Sequence, residues 1–264
     1  MKKIIKKWTL RLTLFGLFLL VLLISLILNP SLLYAHKTSV ENYNIYHNKP
    51  IDSIVLERLH ESSKIIKSSE LFDPNLKYDI CLDDGSWYPS LIKTIFPETL
   101  GTTFYNKIVF WGTVNFRENF GFDGTTKWNI TQLIAHTQIH CLQFNKMGFW
   151  KSNPIAHHPN WKWEGYAEYI SRKLTTGNDL TIGIGHLIQA ENKFNNNRIE
   201  FSDGTGSSLT FYKMRLLVQF CSEIKKMNFE QLLKDTTTED VVRQEMMSWY
   251  KNELQNNDLI QSSR

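Results

Sequence analysis

The chain has 264 residues, 42% apolar and 13% aromatic, which supports a sizeable core and argues against a disordered or low-complexity protein. Its formal charge of +4 is concentrated at the start: Lys2, Lys3, Lys6, Lys7 and Arg11 precede every acid, and the remaining 25 basic residues face 26 acidic ones. That balance leaves no basic footprint for nucleic acid on the body of the protein.

Residues 12–35 carry no charge, and residues 12–28 are almost continuously apolar. This run suits a short membrane span and exceeds a usual signal-peptide core. The basic flank predicts a cytoplasmic N-terminus and an extracytoplasmic remainder. Leu33-Tyr34-Ala35 is a poor cleavage site because its third residue back is Leu, so an uncleaved signal anchor is favoured over a cleaved signal peptide. The expected division is residues 1–35 as basic tip and anchor, and residues 36–264 as one extracytoplasmic domain. Cys81, Cys141 and Cys221 permit one disulfide in that compartment, but burial as three small apolar residues is the preferred reading.

Residues 36–42 read as a polar stem. Residues 43–46 alternate as a strand, and Asp52 caps a helix running to about Lys67. Asp73-Pro74-Asn75 is a turn, residues 77–82 a strand, and residues 89–96 a short helix. Residues 102–114 give the strongest strand signal, with Asn106 marking a turn or bulge, and residues 117–127 read as a loop. Asn129 caps a central helix over about residues 130–146, with Gln132 in the reciprocal capping position. A loop containing Pro154 and Pro159 leads to an aromatic-rich helix over about 161–173. Residues 177–206 read as loops around a short helix, and residues 209–227, 228–233 and 239–254 as helices.

The chemistry concentrates on the two central helices. His136 and His140 stand four apart, share one helical face, and can grip one metal ion. Glu164 on the next helix completes a His, His, Glu set of the kind a catalytic zinc uses with one open position. Glu168, one turn further, is placed to accept the second N–H of a ligating His. Cys141 faces elsewhere and is a poor ligand. Weaker candidates are His157 and His158 in the intervening loop, and His186. Asp83-Asp84-Gly85 and Asp203-Gly204 read as turns, not calcium loops.

His136-Thr-Gln-Ile-His140, followed by Trp163-Glu164-Gly165-Tyr166-Ala167-Glu168-Tyr169, resembles the gluzincin branch of zinc metallopeptidases, with its H-E-x-x-H and E-G-x-A motifs. The resemblance covers roughly residues 102–233. It implies an α+β, zincin-like domain with a mixed sheet in its N-terminal half and helices in its C-terminal half. It also implies zinc on His136, His140 and Glu164, and an oxyanion-stabilising tyrosine at Tyr212. The departure is Thr137, at the position of the family's general-base Glu. A threonine hydroxyl is no useful base near pH 7, and neighbouring Gln138 points to another face. The expectation is therefore a membrane-anchored, zinc-binding, metallopeptidase-like protein with impaired or absent peptidase activity. Two alternatives stand beside it. One is an active hydrolase with another base, such as Glu168. The other is a non-catalytic envelope protein that binds a peptide or protein partner in the same cleft.

Overall fold

The structure is a computed structural model that describes residues 2–95, 100–174, 178–193 and 197–262. Phe96, Gly177, Asn195 and Asn196, which fall in expected elements, lie outside these residues. The described chain is α+β.

Helix α1 (Lys2–Leu28) contains a 23-residue candidate membrane span, Lys6–Leu28, basic at its start and apolar from residue 12, whose apolar window is not buried in the protein. At 1.5 Å per residue it is about 34 Å long, enough to cross a bilayer. The expected polar stem is instead strand β1 (His36–Val40), paired antiparallel with β2 (Tyr43–His47). Asp52 caps α2 (Ser53–Ile66), accepting from Ile54 N. Strand β3 (Tyr78–Cys81) and helix α3 (Trp87–Ile95) come after it. The expected single strand over 102–114 is a hairpin, β4 (Gly101–Phe104) and β5 (Lys107–Phe110), followed by β6 (Thr113–Asn115). Tyr105 at φ 55 and Asn106 make the turn, and Gly112 at φ 88 ends the run. Residues 117–127, expected as a loop, contain β7 (Phe120–Phe122), which pairs with β6 and with β8 (Lys127–Asn129).

Next come α4 (Ile130–Met147), α5 (Asn160–Arg172) and α6 (Leu180–Glu191). The hairpin β9 (Arg198–Glu200) and β10 (Gly206–Ser208) precedes α7 (Leu209–Glu223), α8 (Phe229–Lys234) and α9 (Glu239–Ser262).

The main sheet has the order β1-β2-β3-β5-β4, with β2, β3 and β5 parallel and both edge strands antiparallel. Period-two alternation divides its side chains between two cores. Tyr43, Ile45, Ile80, Ile108 and Phe110 join the helices α2, α4 and α5 in the larger core. Tyr46, Cys81, Val109 and Trp111 face Tyr88 and Ile92 of α3 on the other side. Ile134 and Ile139 of α4 are fully buried in the larger core, where truncation to Ala costs ~2–5 kcal/mol.

Helices α5 and α7 approach very closely at Gly165. A Cβ at that position would stand 2.6 Å from Met214 O and 2.8 Å from Val218 Cγ2. Only glycine allows this approach.

Candidate metal centre

Asn129 Oδ1 accepts from Gln132 N at 3.1 Å and starts α4. The expected return bond from Gln132 is replaced by a tie to α5: Arg172 Nη1 donates to Gln132 Oε1 at 2.7 Å. About two and three turns into α4, the rings of His136 and His140 stand 4.7 Å apart at 78°. Their Nε2 atoms are 3.0 Å apart. Glu164 Oε2, from α5, lies 3.3 Å from His136 Nε2 and 3.1 Å from His140 Nε2. This group could hold a metal ion.

The opposite edge of each ring fixes its tautomer. His140 Nδ1 donates to Gln143 Oε1 at 2.7 Å, and Gln143 Nε2 donates to Trp163 O at 3.0 Å. A carbonyl only accepts, so the amide of Gln143 is oriented with its oxygen toward His140. His136 Nδ1 lies 3.3 Å from Glu168 Oε2, the partner expected for it. Both Nδ1 atoms therefore carry the proton, and both Nε2 lone pairs converge with a carboxylate oxygen on one point. Three acceptors this close need positive charge among them.

A proton on His136 supplies some of that charge. Burial opposes the imidazolium, but Glu164 and Glu168 outweigh burial and push its pKa up to about 9. Burial also opposes ionisation of Glu164, which the histidines more than reverse, holding it below the usual carboxylate range. Glu168 is held low in the same way by Arg172 and His136. One proton, however, satisfies one nitrogen, whereas a metal ion satisfies all three donor atoms. Bonds of ~2.0–2.2 Å in a tetrahedral site put ligand atoms about 3.3–3.6 Å apart, so the observed triangle need open by only a few tenths of an ångström.

Glu168 is fully engaged. Arg172 Nε donates to its Oε1 at 2.5 Å, Ser207 Oγ donates at 3.3 Å, and His136 takes its second oxygen. Thr137 also lines the cleft, but its hydroxyl is turned back into the helix, donating to Leu133 O at 3.1 Å and Ile134 O at 2.8 Å. Gln138 does point elsewhere: its Nε2 donates to Tyr43 Oη at 2.7 Å. Tyr212 is not brought to the cleft. Its hydroxyl donates to Gly183 O at 3.4 Å and its ring lies against Arg215. The preceding residue, Phe211, reaches the site instead, edge-on to His136 at 6.1 Å.

The cleft holds about 630 Å³ and is bounded by α4, α5, the edge strand β4 and the loop before α5. His157 and His158 both line it. His158 stacks on Trp163 at 5.4 Å and donates from Nε2 to Lys151 O. His186 lies apart, in a separate hollow of about 410 Å³ beside Lys193 and Arg198. The two Asp-Gly segments are turns, as expected. Asp84 Oδ2 accepts from the backbone of Asn48 and Lys49, and Asp203 Oδ1 accepts from Thr205. The three cysteines are buried and free.

Gln143, Arg172, Ser207 and Phe211 are site residues to which the sequence alone assigns no role; Gln143 is the one that fixes a metal-site histidine without lining the cleft. Its signal is its position three residues after His140 on the same helix. No protein-family model, curated protein or solved structure matches this chain, so the functional reading rests on the geometry of its own residues.

Proposed function

We propose that the chain is a membrane-anchored, extracytoplasmic, metallopeptidase-like protein that binds zinc on His136, His140 and Glu164 and lacks ordinary peptidase turnover. The observation that carries this reading is the convergence of two Nε2 atoms and Glu164 Oε2 within 3.0–3.3 Å, with each Nδ1 tied down by Gln143 or Glu168. Zinc in such a set, with an open fourth position, lowers the pKa of bound water and polarises a carbonyl.

The chain's own residues shape the site around that position. His136 and His140 present their lone pairs, and Gln143 and Glu168 hold the rings in place. Trp163 and Phe211 exclude water from the sides. Strand β4 is the outer strand of the sheet and borders the cleft, so its outer backbone edge, unpaired by any other strand among the described residues, suits an extended peptide laid alongside it. Thr103, on that strand, donates to Thr137 O at 3.3 Å and fixes the strand against α4.

Proton transfer is the missing function. The hydroxyl of Thr137 is committed to its helix, and Glu168 is committed to Arg172, Ser207 and His136, which argues against the alternative in which Glu168 serves as base. Positioned acid–base catalysis is worth ~10²–10⁴-fold, so its loss leaves binding without useful turnover. The test is the full chain and its Thr137→Glu variant on a mixed peptide library. A gain of chelator-sensitive cleavage in the variant supports the reading. No cleavage and no bound zinc in either protein would refute it, and chelator-sensitive cleavage by the unaltered chain would establish the active alternative.

A further inference from the structure

The join between α1 and the folded body is built as part of the core, not as a tether. Tyr88, fully buried, donates its hydroxyl to Ile27 O within the last turn of α1 at 2.6 Å. Ser86 Oγ donates to Leu33 O at 2.8 Å, and Tyr34 Oη donates to Leu82 O at 2.9 Å. Ala35 N donates to Asn48 Oδ1 at 2.8 Å. Pro30 is buried, and Ile27, Leu33 and Tyr34 pack on the cluster of Tyr46, Cys81, Tyr88, Ile92, Val109 and Trp111. Cutting after Ala35 would strip this cover and leave the hydroxyls of Tyr88 and Ser86 without their acceptors.

The same hydrogen bonds fix α3 beside the end of α1. Trp87 sits between Ser86 and Tyr88, the two residues bonded to Leu33 and Ile27, and is itself 81% exposed. Leu91 and Ile95 recur at four-residue spacing, half-buried and exposed. Leu32 on the connecting turn is 63% exposed. Tyr88 and Ile92 take the other side of α3 into the core. So α3 is apolar on both sides, and its outer stripe lies at the end of a helix long enough to cross a bilayer. Lys93, exposed on the same helix, can reach lipid headgroups.

We infer that Trp87, Leu91, Ile95 and Leu32 lie in the interfacial layer of the bilayer that α1 spans, so that the anchor is retained and the domain is held directly on the membrane surface. Tryptophan favours that layer, and an apolar helix face beside a span is buried there. The parallel strands end at this edge of the sheet. Gly101, which lines the cleft, pairs with Phe110 at the same end of the sheet. The inference rests on the anchor reading and is independent of the metal.

The test uses the full chain in liposomes, with an environment-sensitive fluorophore on Trp87→Cys and, as control, on Glu200→Cys of β9. The native cysteines are buried, so labelling selects the introduced thiol. Ile95→Cys serves as a second probe of the stripe. The expected result is loss of emission at 87 and 95, but not at 200, when the lipids carry a shallow quencher, together with an intact mass that includes residues 1–35. Equal, unquenched emission at all three positions in the intact chain would overturn the placement, as would energy transfer between labelled copies without lipid quenching. A mass beginning at His36 would overturn the anchor reading itself.

Discussion

Replacing Gln143 with Leu removes the acceptor on His140 Nδ1 while leaving all three metal-binding side chains in place. Gln143 is fully buried; it accepts from His140 Nδ1 at 2.7 Å and donates to Trp163 O at 3.0 Å. Leucine fills similar space but accepts nothing, so His140 loses its fixed tautomer and ring angle. Partners of this kind are worth ~10–100-fold in metal affinity, or about 1.4–2.7 kcal/mol. The His140 N–H left without its acceptor adds a stability cost of ~1–3 kcal/mol. The assay is competition for zinc against a chromophoric chelator, with thermal melts alongside. Gln138→Leu is the control. It lies on the same helix, is equally buried, and loses its hydrogen bond to Tyr43, so it carries a comparable stability cost without touching the site. Gln143→Leu should weaken zinc ~10–100-fold and Gln138→Leu should not. Equal affinities for both variants and the parent chain would refute the role assigned to Gln143.

The same geometry fixes three other outcomes. In chelator-treated protein, His136 has a folded pKa of about 9 against an ordinary value of 6.5, so its contribution is complete below about pH 6.5 and is lost as pH rises through 9. Melts should therefore fall across that window, by an upper bound of roughly 3 kcal/mol, and His136→Phe should flatten the curve. With zinc present the trend reverses, because the metal needs the neutral imidazole and affinity rises with pH. Gly165→Ala should destabilise the fold by ~1–3 kcal/mol in denaturant titrations, since its methyl would meet the Met214 carbonyl of α7. Tyr212→Phe should leave zinc affinity unchanged in the same chelator competition, because its hydroxyl is bonded to Gly183 O.

The site is more legible in the sequence than the sheet is. Two His at a four-residue interval and two Glu at the same interval announce a shared face on each helix, and the structure brings these faces together. Gln143 is not legible because a buried glutamine on a helix has many possible partners; only the packing of Trp163 shows which. Tyr212 fails by phase: one residue on a helix is a turn of about 100°, which exchanges Tyr212 for Phe211 at the cleft. Strand β1 escapes notice because its sequence, HKTSV, is that of an edge strand with mostly exposed residues, and its pairing with β2 is a tertiary fact. Strand β7 is hidden by Gly121 at its centre, where a Cβ would meet Leu100 at 3.2 Å. Helix α6 looks irregular because of Gly183 and Gly185. Gly183 is needed where a Cβ would stand 2.7 Å from Leu216 Cδ2 of α7, so the residue that weakens the helical signal is the one that permits the packing. The caps at Asp52 and Asn129 are readable because their mechanism is local.

The most direct measurement is the zinc stoichiometry and affinity of the purified full chain beside His136→Ala, His140→Ala and Glu164→Ala, each with its fold checked by circular dichroism. One zinc per chain is expected in the parent protein, and its loss in each folded variant. A folded parent chain that takes up no zinc, or a zinc that stays bound when all three residues have been replaced in turn, would contradict the metal centre.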